Sequence, residues 1–168
     1  DLKRFKILSI ARKAGVVTEP YPYKPVEAPE GFRGRPHINP DKCTGCGSCA
    51  SICPPNAIKV EDLVDEGYRR ITLFLGRCIF CGRCSDVCPE EAIELTREFE
   101  LASRSSDELY QVVMLKMVKC KVCGRYFTTQ RSLDKLLKSL PKDLWDSLMI
   151  CPVCKEKNTA YIGSYVKR

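Results

Sequence analysis

Histidine occurs once in this 168-residue chain, as His37, and tryptophan once, as Trp145. A lone histidine in a proline-rich stretch matches no metal-ligand pattern, so His37 is expected to be a loop residue. Long apolar runs are also missing. None approaches the roughly 18 residues that span a bilayer, the longest being short stretches such as Ile71 to Leu75 and Val112 to Leu115. No secretory signal is expected, and the start at Asp1 without a methionine leads us to expect missing or processed residues upstream. No base, nucleophile or open metal position argues for bond-making chemistry.

Cysteine is in excess. Twelve occur, and eight form two runs of one design: Cys43-x-x-Cys46-x-x-Cys49-x-x-x-Cys53-Pro54 and, thirty-five residues later, Cys78-x-x-Cys81-x-x-Cys84-x-x-x-Cys88-Pro89. Gly47 repeats as Gly82, and Ala57-Ile58 as Ala92-Ile93. Two residues between cysteines let a tight turn aim successive thiolates at one centre, with loop N–H groups directed at its anionic sulfurs. A disulfide framework or zinc knuckles fit neither the three-plus-one spacing nor the proline after the fourth cysteine, whereas 4Fe-4S ferredoxin housings do. In such housings the fourth thiolate reaches across to the neighbouring cluster. The expected ligands are therefore Cys43, Cys46, Cys49 and Cys88 for the first cluster, and Cys78, Cys81, Cys84 and Cys53 for the second. Ligation would supply folding free energy that a large core otherwise provides, and so many thiolates imply a reducing, cytoplasmic setting.

The remaining cysteines form Cys120-x-x-Cys123 and Cys151-x-x-Cys154, the two knuckles of a four-thiolate tetrahedral site. Zinc is expected there, with a single iron as the alternative that spacing cannot separate. Between the knuckles, Leu133, Leu136, Leu137 and Leu140, then Leu144, Trp145 and Leu148, recur at helical spacing, so a helical hairpin broken at Pro141 is expected, with Trp145 as its anchor.

The expected fold class is α+β, in four parts. Residues 1–40 read as a helix followed by a proline-rich extended arm, and 41–102 as the two-cluster domain, with strands over Ala57 to Val60, Arg70 to Leu75 and Ile93 to Leu95. Residues 103–119 read as a connecting helix, from the character of Asp107 to Val118, and 120–168 as a zinc-ribbon-like lobe. The formal charge of +7 suggests nucleic acid, but three sites of net charge about 2− each leave only about +1. No aromatic-basic array is identifiable in the ribbon, which disfavours a nucleic-acid adaptor. The basic balance sits at the ends, nine to five over residues 1–42 and ten to four over 120–168, and suggests docking surfaces.

Two stretches, Glu30-Gly31-Phe32-Arg33-Gly34 and Leu75-Gly76-Arg77-Cys78-Ile79-Phe80-Cys81-Gly82-Arg83-Cys84, resemble the two-cluster subunit shared by respiratory complex I and membrane-bound group 4 nickel-iron hydrogenases. Glu98-Phe99-Glu100-Leu101-Ala102-Ser103 resembles the hydrogenase branch, and the C-terminal four-cysteine extension with its helical insert resembles the corresponding electron-transfer subunit of formate hydrogenlyase. The resemblance implies a non-catalytic electron-transfer subunit, peripheral at the cytoplasmic face of the membrane. Its partners would be the hydrogenase small and large subunits and an upstream donor such as formate dehydrogenase or a ferredoxin. It also implies an aromatic slot beside the second cluster, filled here by Phe80. The alternatives are the equivalent subunit of a complex I-like dehydrogenase and a free ferredoxin, which would need only residues 41 to 102.

Overall fold

The computed structural model describes residues 2–157; Asp1 and residues 158–168, the end of the expected ribbon, lie outside the described part. The chain opens with α1 (Leu2–Ala14), as its lack of internal glycine and proline predicts. Leu8, Ile10 and their neighbours find no core, and every side chain from Phe5 to Glu27 is exposed. Beyond it the arm is bound to the body sooner than expected. Tyr21 donates to Glu100 at 2.8 Å, and the rings of Tyr21 and Phe32 both pack on Phe99. Strand β1 (Pro36–Ile38) then pairs antiparallel with β4 (Ile93–Leu95). Pairing therefore begins upstream of Asp41, and His37 lies on a strand, not in a loop. Proline is tolerated there because this two-stranded sheet leaves its N-terminal strand residue free of an obligatory ladder bond.

The larger sheet is antiparallel with strand order β2-β3-β5-β6. β2 (Ile58–Leu63) and β3 (Tyr68–Phe74) form a hairpin turning at Gly67, where the turn between the two strands is expected, with strand ends that run closer to it than Val60 and Arg70. The main departure is β5 (Tyr110–Lys119). The helix expected from Asp107 to Val118 is confined to a single 3-10 turn, Ser106–Leu109, in which Ser105 accepts the Asp107 N–H at 3.2 Å. Beyond it Val113, Leu115 and Met117 are buried while Val112, Met114 and Lys116 are exposed, a period of two. β-Branched residues suit that pleated surface, and the open edge of β3 supplies a seven-residue partner, so tertiary pairing overrides the local helical tendency.

β6 (Tyr126–Thr129) extends the sheet across a register shift at Val118/Lys119. Its last residue, Thr129, caps α4 (Gln130–Ser139) by accepting the Ser132 N–H at 3.4 Å. The hairpin breaks at Pro141 and continues through α5 (Trp145–Leu148), as expected. Its anchor differs: Leu133 is buried at 4% exposure, whereas Trp145 stays 39% exposed and only donates its indole N–H to the Leu140 carbonyl at 3.3 Å. The hairpin covers β5 and β6 with one side of α4, and α5 reaches no core that could enclose an indole.

Candidate metal centres

Two short helices, α2 (Ser48–Ile52) and α3 (Arg83–Asp86), carry the third cysteine of each run, and each is entered through a left-handed glycine, Gly47 or Gly82, with φ of +83° and +81°. The repeat seen in sequence is a repeat in geometry. Asn56 and Glu91, thirty-five positions apart, both take positive φ, 51° and 48°. That twist turns the next N–H inward, so Ala57 donates to Cys53 Sγ at 3.3 Å and Ala92 to Cys88 Sγ at 3.2 Å.

The eight cysteines fall into two groups. Cys43, Cys46, Cys49 and Cys88 line one cavity of about 370 Å³. Cys53, Cys78, Cys81 and Cys84 line a second of about 390 Å³. The fourth cysteine of each run thus faces the cavity of the other.

Three strands wall both cavities through their period of two. Ile38, Ile71 and Ile93 line the first, and Pro36, Leu73 and Leu95, two residues away on the same strands, line the second. The cavities are neighbours about one strand repeat apart, roughly 7 Å along the chain. Phe80 lines the second.

Burial pushes the Cys49 thiol up to about 12 and the Cys84 thiol up to about 11, and raises Cys43 and Cys78 in the same way. N–H donation to sulfur, such as that from Phe80 to Cys78 at 3.4 Å, opposes the burial without cancelling it. Two buried thiols in each pocket are thus poor thiolates alone; cationic iron supplies the missing compensation, and the donor set therefore fits an iron–sulfur cluster.

The third group is Cys120, Cys123, Cys151 and Cys154, whose sulfurs all lie within 4.8 Å of one another. A tetrahedron with metal–sulfur bonds of about 2.3 Å has sulfur–sulfur edges of about 3.8 Å, and Cys123 Sγ stands 3.7 Å from Cys151 Sγ. Burial raises the Cys120 thiol, yet N–H donation led by Cys123 and Cys151 outweighs it and brings the thiol down to about 6. Cys154 moves up to about 12, through its hydrogen bond with Cys151 and through burial. A bound divalent ion would hold all four as thiolates. Phe127 and Ile150 pack against the site.

Sequence reasoning missed the side chains that tie these centres together. Thr129 donates its hydroxyl to the Thr44 carbonyl, Arg131 donates to the carbonyls of Pro40 and Cys43, and Arg69 donates to that of Gly45 at 2.8 Å. The Nδ1 of His37 meets the Gln111 amide at 3.2 Å.

The 4Fe-4S dicluster domain family matches residues 42–92. Formate hydrogenlyase subunit 6 of Escherichia coli (strain K12) is 39% identical over 160 residues, covering 91% of this chain and 89% of that one. The chain belongs to this subunit's family. NAD(P)H-quinone oxidoreductase subunit I of the Ranunculus macranthus chloroplast is 40% identical over 116 residues, 66% of this chain and 64% of that one. Among solved structures, a chain of the membrane-bound sulfane sulfur reductase, an archaeal respiratory membrane complex, superposes with a TM-score of 0.50 at 26% identity, over 85% of this chain and 72% of that one. As a member of the formate hydrogenlyase subunit 6 family with a dicluster domain, the protein is an electron-transfer subunit that carries iron–sulfur clusters.

Proposed function

We propose that the chain relays single electrons between a donor protein and the small subunit of a membrane-bound group 4 nickel-iron hydrogenase complex. The observation that carries this reading is the pair of adjacent four-cysteine cavities with exchanged fourth cysteines. Bound 4Fe-4S clusters supply one-electron chemistry. The chain's own residues hold and space them: Cys43, Cys46, Cys49 and Cys88 for the first, Cys78, Cys81, Cys84 and Cys53 for the second, with Ile71 and Leu73 on one strand keeping water from both.

The hydrogenase assignment is favoured over the complex I-like alternative by coverage. The match to formate hydrogenlyase subunit 6 spans 91% of the chain, whereas the matches to quinone oxidoreductase subunit I span 66% to 77%. A free ferredoxin is disfavoured because the arm and the C-terminal lobe are hydrogen-bonded into the cluster unit. Among the described residues no helix is long and apolar enough to cross a membrane, which is compatible with peripheral attachment at the cytoplasmic face through partner subunits. The donor is a formate dehydrogenase, a ferredoxin or a similar protein, and the hydrogenase large subunit is a further partner. The third site holds zinc as a staple of the C-terminal lobe, because a closed set of four thiolates leaves no position for chemistry.

Purification of the native complex, with metal analysis and mass spectrometry of its subunits, tests the reading. We expect hydrogenase subunits together with about eight irons and about one zinc per chain. A monodisperse monomer without partners, or a ninth iron in place of zinc, would overturn the corresponding part.

A further inference from the structure

The rest of the chain does not treat the two cysteine runs alike. Gly45 and Phe80 occupy equivalent positions, one residue before the second cysteine, and both take positive φ, +77° and +53°. Phe80 shows that the position accepts a side chain where there is room. At Gly45 there is none: a Cβ would lie 2.8 Å from both Leu115 Cδ1 and Thr129 Cγ2. The sheet that leads into the C-terminal lobe is closed down on the first loop and leaves the second open.

Polar contacts follow the same division. The carbonyls of Pro40, Cys43, Thr44 and Gly45 receive Arg131, Thr129 and Arg69. Among the described residues no side chain donates to the carbonyls of Cys78, Ile79 or Phe80, and the nearest counterpart is Arg33, 3.4 Å from the Cys81 carbonyl. On the same side Lys135 reaches Glu90, which lines the first cavity, at 2.5 Å.

We infer that Thr129 and Arg131, together with Arg69 of β3, are positioning residues for the first cluster, so that the C-terminal lobe, through Thr129 and Arg131, controls the retention and potential of one cluster of the two. The inference rests on the ligand sets proposed above. Donors that hold the loop carbonyls outward leave the loop N–H groups facing the sulfurs, and these are the groups that set how tightly a cluster is held and how readily it accepts an electron. Charge adds to this. Arg69 is neutralised by a bidentate pair with Asp62 at 2.6 and 2.9 Å, whereas Arg131 meets Asp41 only at 3.6 Å, across a carboxylate that is 91% exposed. Arg131 therefore carries the less balanced charge, and a cation near the site favours the state with one more electron.

The test uses the full-length holoprotein and follows both clusters by EPR-monitored redox titration and by iron release to a ferrous chelator, with Cys46→Ser and Cys81→Ser assigning the signals. In Arg131→Gln the first cluster should titrate at a more negative potential. It should also lose iron about tenfold faster, the equivalent of one hydrogen bond to a charged group. The second should be unchanged, and Arg131→Lys should restore the potential. Thr129→Val, which keeps side-chain volume and charge, should accelerate iron release from the first cluster only, and decides the matter if Arg131→Gln fails to assemble. Equal responses of the two clusters, or none in either variant, would overturn the inference. A wild type with only four irons would instead overturn the ligand sets beneath it.

Discussion

Gln111 binds the backbone of Ile38 as a third strand would: its Oε1 accepts the Ile38 N–H at 3.0 Å and its Nε2 donates to the Ile38 carbonyl at 2.9 Å. A side-chain amide has the same donor and acceptor as a peptide group, so this one residue of β5 joins the small β1-β4 sheet to the four-stranded sheet. Ile38 is 1% exposed and lines the first cavity, which makes the junction part of a cluster wall.

Replacing Gln111 by alanine should leave both Ile38 groups without partners and cost roughly 1–3 kcal/mol. The expected result is a lower urea midpoint for loss of the visible cluster absorbance. Gln111→Glu, which can still accept from the N–H, should lose less. An unchanged midpoint in the alanine variant would show that the junction contributes nothing.

Gly45 and Phe80 should respond in opposite ways. Gly45→Ala combines a strained backbone with a side-chain clash, each costing on the order of 1–3 kcal/mol, and should release iron from the first cluster on purification. Phe80→Gly removes packing from an open position while easing its backbone, and should keep both clusters. Iron counts on the two variants decide this, and comparable losses would contradict the close approach at Gly45.

Cys53→Ser should damage the cluster held by Cys78, Cys81 and Cys84 and spare the one held by its own run. EPR of the reduced variant reads the difference. Selective loss of the cluster held by Cys43, Cys46 and Cys49 would refute the exchange of fourth ligands.

Removal of residues 1–18 should leave both cluster spectra intact and weaken assembly with the membrane complex, since α1 buries none of its described side chains. The cut must stop there. Deletion through residue 40 would also remove β1 and the Phe32 contact with Phe99, and should destabilise both clusters because Pro36 and Ile38 wall them. A shortened protein that still assembles at normal yield would exclude a docking role for the helix.

The grouping of the cysteines into fours was legible in the sequence because thiolate spacing is a local property. Two residues between cysteines allow one kind of turn, and the duplication carried that turn to a second place with its glycine, its proline and its inward alanine N–H. The alternation of Pro36 with Ile38, Ile71 with Leu73 and Ile93 with Leu95 was written there too, but its meaning depends on which strands share a face. What the sequence left open was set by contacts between residues far apart in the chain. Residues 107–118 carry a pattern compatible with a helix, and the exposed edge of β3 made most of them a strand because an unpaired edge next to apolar side chains is worth more filled than the local preference it overrides. That one strand brought Gln111 to Ile38 and led the C-terminal lobe to Thr44 and Cys43. Only the tertiary structure could distinguish the two halves of the repeat, since the chain that closes over one of them lies outside the repeat itself.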